Sequence, residues 1–494
     1  MWACQSPAEA LKEKPWGGWP KGDISLSPPE KDSGPAGIGD AADTVSSVID
    51  DASGLPAPST GTLLRRTYGS NNDEEALGLA RTSDGGLALV GYTDGVGAGD
   101  RDLLLIRTDG CGVRKWTRSF GGAMVDQGQA VVETADGGLL ALGQTASFTG
   151  GVDVYLVRTD AAGDAVWTAT LGGAQADEGY ALADAGDGSY VVVGKTYSAG
   201  PGGPNDHSLL AARVDDQGKA LWQYAYGGGD DDAGYAVVAV KDASGSVGSF
   251  VIAGSVESWG QGDDDVWLVK LDAAGKAVWT FAYGGKGDDE ARAIARAPDG
   301  GYIIAGFTTG DKAQSSDLLA LKVTGGGKLQ WFGRYGGAKE ERAYAIDAYT
   351  GGYLLAGWSD SLGTGSDDGL VVRVNAVGDL LGSYTIGGKS GDKFAAMVPW
   401  KDGGWMLAGR TKSAGLGGRD AWLVECDAKG KVECGYQDHD AKAFSWATDT
   451  AMDRVKVTPK TAAGPKLEKV QSATAMVPVT DYWSELTCSD STCP

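Results

Sequence analysis

The stretch Tyr283–Thr309, YGGKGDDEARAIARAPDGGYIIAGFTT, decides the fold of this chain of 494 residues. Taken alone, Glu290–Ala297 has the composition of a helix, with alanines set among Arg and Glu and no breaker. A helix that packs on a core needs apolar residues three and four apart. Here Ala291, Ala293 and Ala295 recur at alternate positions, and Asp299-Gly300-Gly301 turns the chain straight into the apolar run Tyr302–Ala305. That is the pattern of a β-hairpin.

The same words recur along the chain. The first glycine of the "YGG" signature falls at Gly69, Gly121, Gly172, Gly227, Gly284, Gly336 and Gly387. A "DGG"-type turn follows at Asp84, Asp136, Asp187, Asp299, Thr350 and Asp402, with a longer version in the fourth copy, and a closing glycine ends the next strand at Gly91, Gly143, Gly194, Gly254, Gly306, Gly357 and Gly409. Each copy then carries a variable Gly/Ser/Asp loop, an apolar strand such as Asp265–Leu271, a tight turn and a last strand such as Lys276–Tyr283. Seven copies of four short strands, spaced by about fifty residues, describe an all-β, seven-bladed β-propeller of four-stranded antiparallel blades.

Side-chain sizes agree with that assignment. The first strand of a blade lines the axis, where neighbouring strands crowd, and Gly78, Ala130, Ala181, Ala236, Ala293, Ala345 and Ala396 are all small. Trp116, Trp167, Trp222, Trp279 and Trp331 on the outer strand supply bulk between blades, and Gly382 and Cys434 depart from that rule. Thr62–Gly69 is an outer strand without a blade of its own and is expected to close the ring, with Lys431–Tyr436 competing for the same place. The propeller then occupies 61–436. Residues 1–60, rich in Pro, Gly and Ser, read as a disordered tether. Residues 437–494 lack the repeat and form a C-terminal extension that packs on the ring or trails from it.

Trp267–Gly306, WLVKLDAAGKAVWTFAYGGKGDDEARAIARAPDGGYIIAG, resembles the repeat of secreted or surface-attached bacterial β-propeller proteins. The likeness covers every blade. It implies an extracytoplasmic protein (outer-membrane surface, periplasm or secreted), often a lipoprotein, and it transfers no catalytic residue. In the opening MWACQS, Ala3-Cys4 is similar to the end of a lipobox, so Cys4 is a candidate lipidation site; the alternative is an ordinary cysteine in the tether. Six cysteines do not make a disulfide scaffold. Cys426 and Cys434 flank a hairpin turn and Cys488 and Cys493 close a short loop, so two local bridges are expected in an oxidising compartment.

Composition limits the partners. Glycine contributes 80 residues, and the formal charge is −23, from 43 basic and 66 acidic side chains. Nucleic acid is excluded as a partner by the absence of a basic face, and no apolar run is long enough for a transmembrane segment. The chain is read as a monomer.

Two residue sets mark candidate chemistry. Five positions after each signature glycine stands an acid: Glu74, Asp126, Asp177, Asp232, Asp289, Glu341 and Asp392. A second acid opens the third strand at Asp102, Asp153, Asp265, Asp317, Asp368 and Asp420, with Ser208 in the third copy. Both sets are expected at one mouth of the ring. There they either bind calcium or another hard cation, with Asp126, Asp177, Asp232, Asp289 and Asp392 as ligands, or cap the backbone of their own turns. The sequence has neither EF-hand nor RTX spacing. Eight positions after the signature glycine the copies disagree: Leu77, Gln129, Tyr180, Tyr235, Arg292, Tyr344 and Ala395. Tyr180, Tyr235, Arg292 and Tyr344 suit stacking on a sugar or gripping a peptide. The competing role is packing between blades.

No catalytic constellation is present. The chain has two histidines, His207 and His439, and no G-x-S-x-G or H-E-x-x-H motif. The expectation is a binding or scaffold module for an extracellular glycan or protein at one acidic face. The alternative is a polysaccharide hydrolase or lyase using paired carboxylates there.

Overall fold

The computed structural model describes residues 63–432 apart from 149, 202–204, 243–244, 261–262 and 310–314, together with the backbone of seven short strands between 436 and 482. Cys4, Cys434, Cys488, Cys493 and the expected tether therefore lie outside the described residues, as do the side chains beyond 435. Among the described residues every long element is a strand, and Glu290–Ala297 falls in the strand Asp289–Arg296.

Seven antiparallel blades form the ring. The first comprises Glu74–Arg81, Leu87–Thr93, Asp102–Thr108 and Arg114–Gly121, paired in that order. The next five repeat this pattern, their innermost strands starting at Asp126, Asp177, Asp232, Asp289 and Glu341. In the seventh, Asp392–Pro399, Trp405–Thr411 and Asp420–Cys426 are completed by Arg65–Gly69, which pairs through Arg65↔Val424 to Tyr68↔Ala421. The N-terminal strand thus closes the ring. Of the competing segment, Tyr436 opens a different strand, Tyr436–His439, which pairs with the sixth blade through Tyr436↔Ile386. The tryptophan position of the seventh blade is consequently filled by Leu64, whose carbonyl accepts from the Glu425 N–H at 2.7 Å, and not by Cys434.

Closure is also visible in the packing. Seven apolar clusters of described residues each join two neighbouring blades. The one that seals last blade to first contains Tyr68, Leu87, Leu104, Met406 and Leu423. Each such side chain taken from water contributes roughly 1.5–3 kcal/mol. Polar pins add direction. The indole N–H groups of Trp116, Trp222 and Trp331 donate to Ala161, Ala273 and Ala376 carbonyls in the following blade, at 3.1, 3.0 and 2.9 Å. Tyr68 donates likewise to Gly112 at 2.6 Å. At the hub, a Cβ on Gly78 would meet Gln129 O of the neighbouring inner strand at 2.6 Å, which is the crowding that selects small residues there.

Cys426 is a free, buried thiol, contrary to the expected local bridge. It ends the third strand of the seventh blade opposite Trp405 and packs with Trp422 and Val424 in the core, an apolar setting that pushes its pKa up to about 12. Cys111, in the first blade's outer turn, is instead disulfide-bonded.

The C-terminal extension packs on the ring in an ordered way. It visits the sixth, fifth, fourth, third, second, first and seventh blades in that order, adding one fifth strand to each. Ser445, Asp453, Lys460, Lys466, Ala473 and Thr480 pair with the signature glycines Gly336, Gly284, Gly227, Gly172, Gly121 and Gly69. The extension therefore has a period of its own, six to eight residues, matched to one blade. It covers edges that would otherwise offer unpaired backbone groups.

Two outcomes follow from this geometry. A chain ending at residue 435 is expected to melt at lower temperature and to associate with rising concentration, as read by scanning calorimetry and light scattering; an unchanged monomer would contradict the edge-covering role. At Gly306 a Cβ would lie 1.8 Å from Glu290 O. Gly306→Ala is accordingly expected to cost about 1–3 kcal/mol or more by denaturant unfolding, whereas Gly151→Ala, with nothing within 4 Å of its added Cβ, should stay within about 0.5 kcal/mol.

Candidate ligand-binding mouth

The inner hairpin of every blade carries the same irregularity. Register slips between Ala76 and Gly78, and between the equivalent residues of the other six blades. The residue left over is Leu77, Gln129, Tyr180, Tyr235, Arg292, Tyr344 or Ala395: the variable position is a β-bulge in all seven copies. A bulge swings one side chain out of the pleat. It also presses the preceding carbonyl onto the opposite strand, and a Cβ on the closing glycine would lie only 1.8–1.9 Å from that oxygen in every blade. Only glycine fits. Sequence reasoning identified both the glycine and the variable residue without seeing that one permits the other.

The structure brings the four singled-out residues together. The Tyr180 and Tyr235 rings lie 5.1 Å apart, and the Arg292 guanidinium sits 3.9 Å over Tyr235. Arg292 also interacts electrostatically with Tyr344 and Tyr180, and it is paired with Glu290. Burial, with Arg292 opposing, pushes the Tyr235 phenol up to about 12; burial and Glu178 likewise raise Tyr180, whose hydroxyl donates to Glu178 at 2.6 Å.

From this point an alternation of aromatic and basic side chains continues round the mouth, which sequence reasoning missed because its members come from two different strands. Arg342 lies 4.2 Å over Phe307, and Lys393 3.4 Å over Trp358. Arg101 lies 3.7 Å over Tyr92, whose hydroxyl accepts from Arg419 at 3.1 Å. Each cation has its own carboxylate: Arg101–Asp94 at 2.6 Å, Lys195–Glu178 at 3.3 Å, Arg342–Glu340 at 3.4 Å, Lys393–Asp367 at 3.0 Å, Arg410–Glu75 at 3.0 Å and Arg419–Asp73 at 3.6 Å.

Both acid sets do gather at this face, in pairs across the blade interfaces. The N–H of Asp126 donates to Arg101 O beside Asp102, and the same bond joins Asp289 to Asp264 O beside Asp265 and Asp392 to Asp367 O beside Asp368. The signature glycine separates each pair: a Cβ on Gly121 would touch Asp102 Oδ1 at 2.1 Å and Asp126 Oδ2 at 2.6 Å. Asp126, Asp177, Asp232, Asp289 and Asp392 each accept the backbone N–H four residues earlier, at 2.7–2.9 Å. Ser147, Ser198, Ser258 and Ser413 donate to four of them. These carboxylates therefore brace their own turns. Among the described residues no three His, Cys, Asp or Glu side chains are arranged to hold a metal ion.

Burial acts on the pairs. Desolvation first, and then the partner acid Asp126 or Asp392, pushes Asp102 up to about 6 and Asp368 to about 7. Desolvation likewise raises Asp177, Asp232 and Asp289 to about 6, and Asp420 to about 7. On the loops nearby, burial followed by Asp264, Asp231, Asp230 and Asp263 pushes Glu257 to about 7.

No family model matches the chain. It is 29% identical over 202 residues to the regulatory protein FlaEY of Caulobacter vibrioides, a match covering 36% of this chain and 20% of that protein, so the chain spans about a fifth of its relative's length. Solved structures with a similar fold include the polysaccharide lyase Uly1 (TM-score 0.44, 11% identity, 73% of this chain and 91% of that one). Two others are the Penicillium chrysogenum α-L-arabinanase complexed with arabinobiose (0.40, 9%, 74% and 98%) and the Neurospora crassa Pan2 WD40 domain (0.39, 9%, 73% and 92%). The propeller assignment itself rests on the strand pairing within this chain. Among the described residues no helix is long and apolar enough to cross a membrane.

The raised carboxyl values set a pH dependence. Between about pH 4 and 7 the folded ring keeps protons that the unfolded chain has released, so stability falls as pH rises through that window. The melting temperature at pH 5 is expected to exceed that at pH 8; a higher value at pH 8 would show that the pairs are not strained.

Proposed function

We propose that this ring is an extracytoplasmic binding module whose ligand, a glycan or a protein, seats on the mouth bearing Tyr180, Tyr235, Arg292 and Tyr344. The observation that carries the reading is the bulge. All seven blades keep a glycine whose effect is to turn one side chain out of the sheet, and at that place, unlike at the acids and the hub, the side chains differ from blade to blade. Four bulged residues from adjacent blades converge, and their aromatic and cationic chemistry is that of recognition surfaces.

Two features support the setting. Cys111 is disulfide-bonded, as in oxidising compartments. The likeness of Ala3-Cys4 to the end of a lipobox points to the same setting. A lipid anchor on Cys4 belongs to the same proposal. A hydrolase or lyase reading has no comparable support: the inner-strand acids each spend one oxygen on the backbone N–H four residues earlier.

An array of neutral and acidic oligosaccharides and of envelope proteins tests the reading. Replacing Tyr180 and Tyr235 together by Ala is expected to weaken whatever binds by about tenfold or more, the loss of roughly 1.4 kcal/mol or more, with the melting temperature retained. Undiminished binding would move the site elsewhere, and turnover of any polysaccharide would replace binding by catalysis.

A further inference from the structure

We infer that the ligand of this mouth is a neutral, hydroxyl-rich oligosaccharide, not an acidic polysaccharide or a basic peptide; the inference rests on the binding reading above and narrows it. Aromatic and basic residues arranged in alternation would ordinarily suggest a polyanion, as in single-strand nucleic-acid grooves. Pairing removes that option here. Every salt-bridging cation of the mouth is matched by a carboxylate of its own, Arg292 by Glu290, Lys393 by Asp367 and Arg410 by Glu75 among them. A uronate or sulfate group entering such a site would have to displace an internal acid. It would also approach the loop acids Asp230, Asp231, Asp263 and Asp264, which already act together on Glu257.

The unused hydrogen-bonding groups point to hydroxyls. The Nε atoms of Arg292 and Arg410 are buried without an acceptor among the described residues, and Gln144 Oε1 is buried without a donor. A carboxylate ligand offers acceptors alone, and an ammonium offers donors alone. A sugar hydroxyl offers both, so it can accept from an arginine Nε while donating to the carboxylate paired with that arginine. Tyr180, 5.1 Å from Tyr235 and tilted to it by 49°, supplies an apolar ring beside the Arg292–Tyr235 stack for the C–H face of a pyranose or furanose. On the blades across the ring the bulged residues are the aliphatic Ala395 and Leu77.

The distinguishing property is salt dependence. Association between net charges weakens steeply as the Debye length falls from about 30 Å in about 0.01 M salt to about 3 Å in about 1 M salt, whereas hydroxyl recognition at neutralised pairs does not. The test is titration calorimetry of the full chain with xylo-, gluco- and arabino-oligosaccharides, with polygalacturonate and alginate fragments, and with oligolysine, at those two salt concentrations. The expected result is binding of at least one neutral series, with Kd changing less than about threefold between the two salts and weakened by Tyr180→Ala with Tyr235→Ala. Binding of uronates or oligolysine that collapses in high salt, with no neutral series bound, overturns the inference. If that binding is still lost in the tyrosine variant, the mouth stands and only its ligand class is wrong. If the tyrosine variant leaves all binding unchanged, both readings fall. Should the double variant be unstable, Tyr180→Phe with Tyr235→Phe keeps the ring faces and gives a second variant: retained binding supports the stacking role.

Discussion

A backbone oxygen pressed against a glycine organises this protein. In each blade the carbonyl before the bulge stands where a Cβ of the closing glycine would be, at a distance no side chain tolerates. The bulge cannot form opposite any other residue, and without the bulge the inner hairpin would be a flat ladder. A flat ladder would hold all its side chains in the two faces shared with neighbouring blades. The extra residue breaks that rule once per blade and at one height, so a closed and tightly packed ring acquires seven side chains free to vary. Constraint and variability sit across one hydrogen-bonded ladder from each other.

The ring is a closed object made from an open chain, and two devices manage its edges. The N-terminal strand completes the last blade, so the seam between first and last is packed by the same kind of apolar cluster as the other six interfaces. The C-terminal segment then pairs with all seven outer strands, running against the order of the blades. Its last strand pairs with the first strand of the ring, Thr480 facing Gly69. The first and last described strands thus lie side by side in one blade. Opening the seam would require separating both, a topology that favours slow unfolding over local fraying.

Most of this architecture was legible because repetition overrides local ambiguity. Glu290–Ala297 has helical composition, but six other copies fix it as a strand. The closing strand was narrowed to two candidates and no further, since Thr62–Gly69 and Lys431–Tyr436 both have outer-strand character. The belt of fifth strands was missed because its period of six to eight residues is short, weakly patterned and set by spacing between blades, not by its own side chains. Cys426 misled for a different reason. Proximity in sequence to Cys434 across a turn suggested a bridge, but the last residue of a third strand faces the core, where a thiol is an apolar filler. At the mouth, the bulged residues were visible as the place where copies differ. The aromatic–cation sequence through Phe307, Arg342, Trp358 and Lys393 was not, because it alternates between strands whose neighbours are defined only by register.

Electrostatics separates the two acid populations that composition lumps together. The formal charge of −23 counts every carboxyl as ionised. Yet the interface pairs are buried, and several, from Asp102 at about 6 to Asp420 at about 7, hold protons near neutrality. The field at the mouth is therefore weaker than the sequence implies, and it softens as pH falls. Other acids there stand beside a cation, such as Glu75 with Arg410 at 3.0 Å. A surface of this kind has little long-range steering to offer a charged partner. What it presents is a dense set of short, oriented donors and acceptors framed by aromatic rings, and selectivity must come from the fit of hydrogen bonds at contact distance.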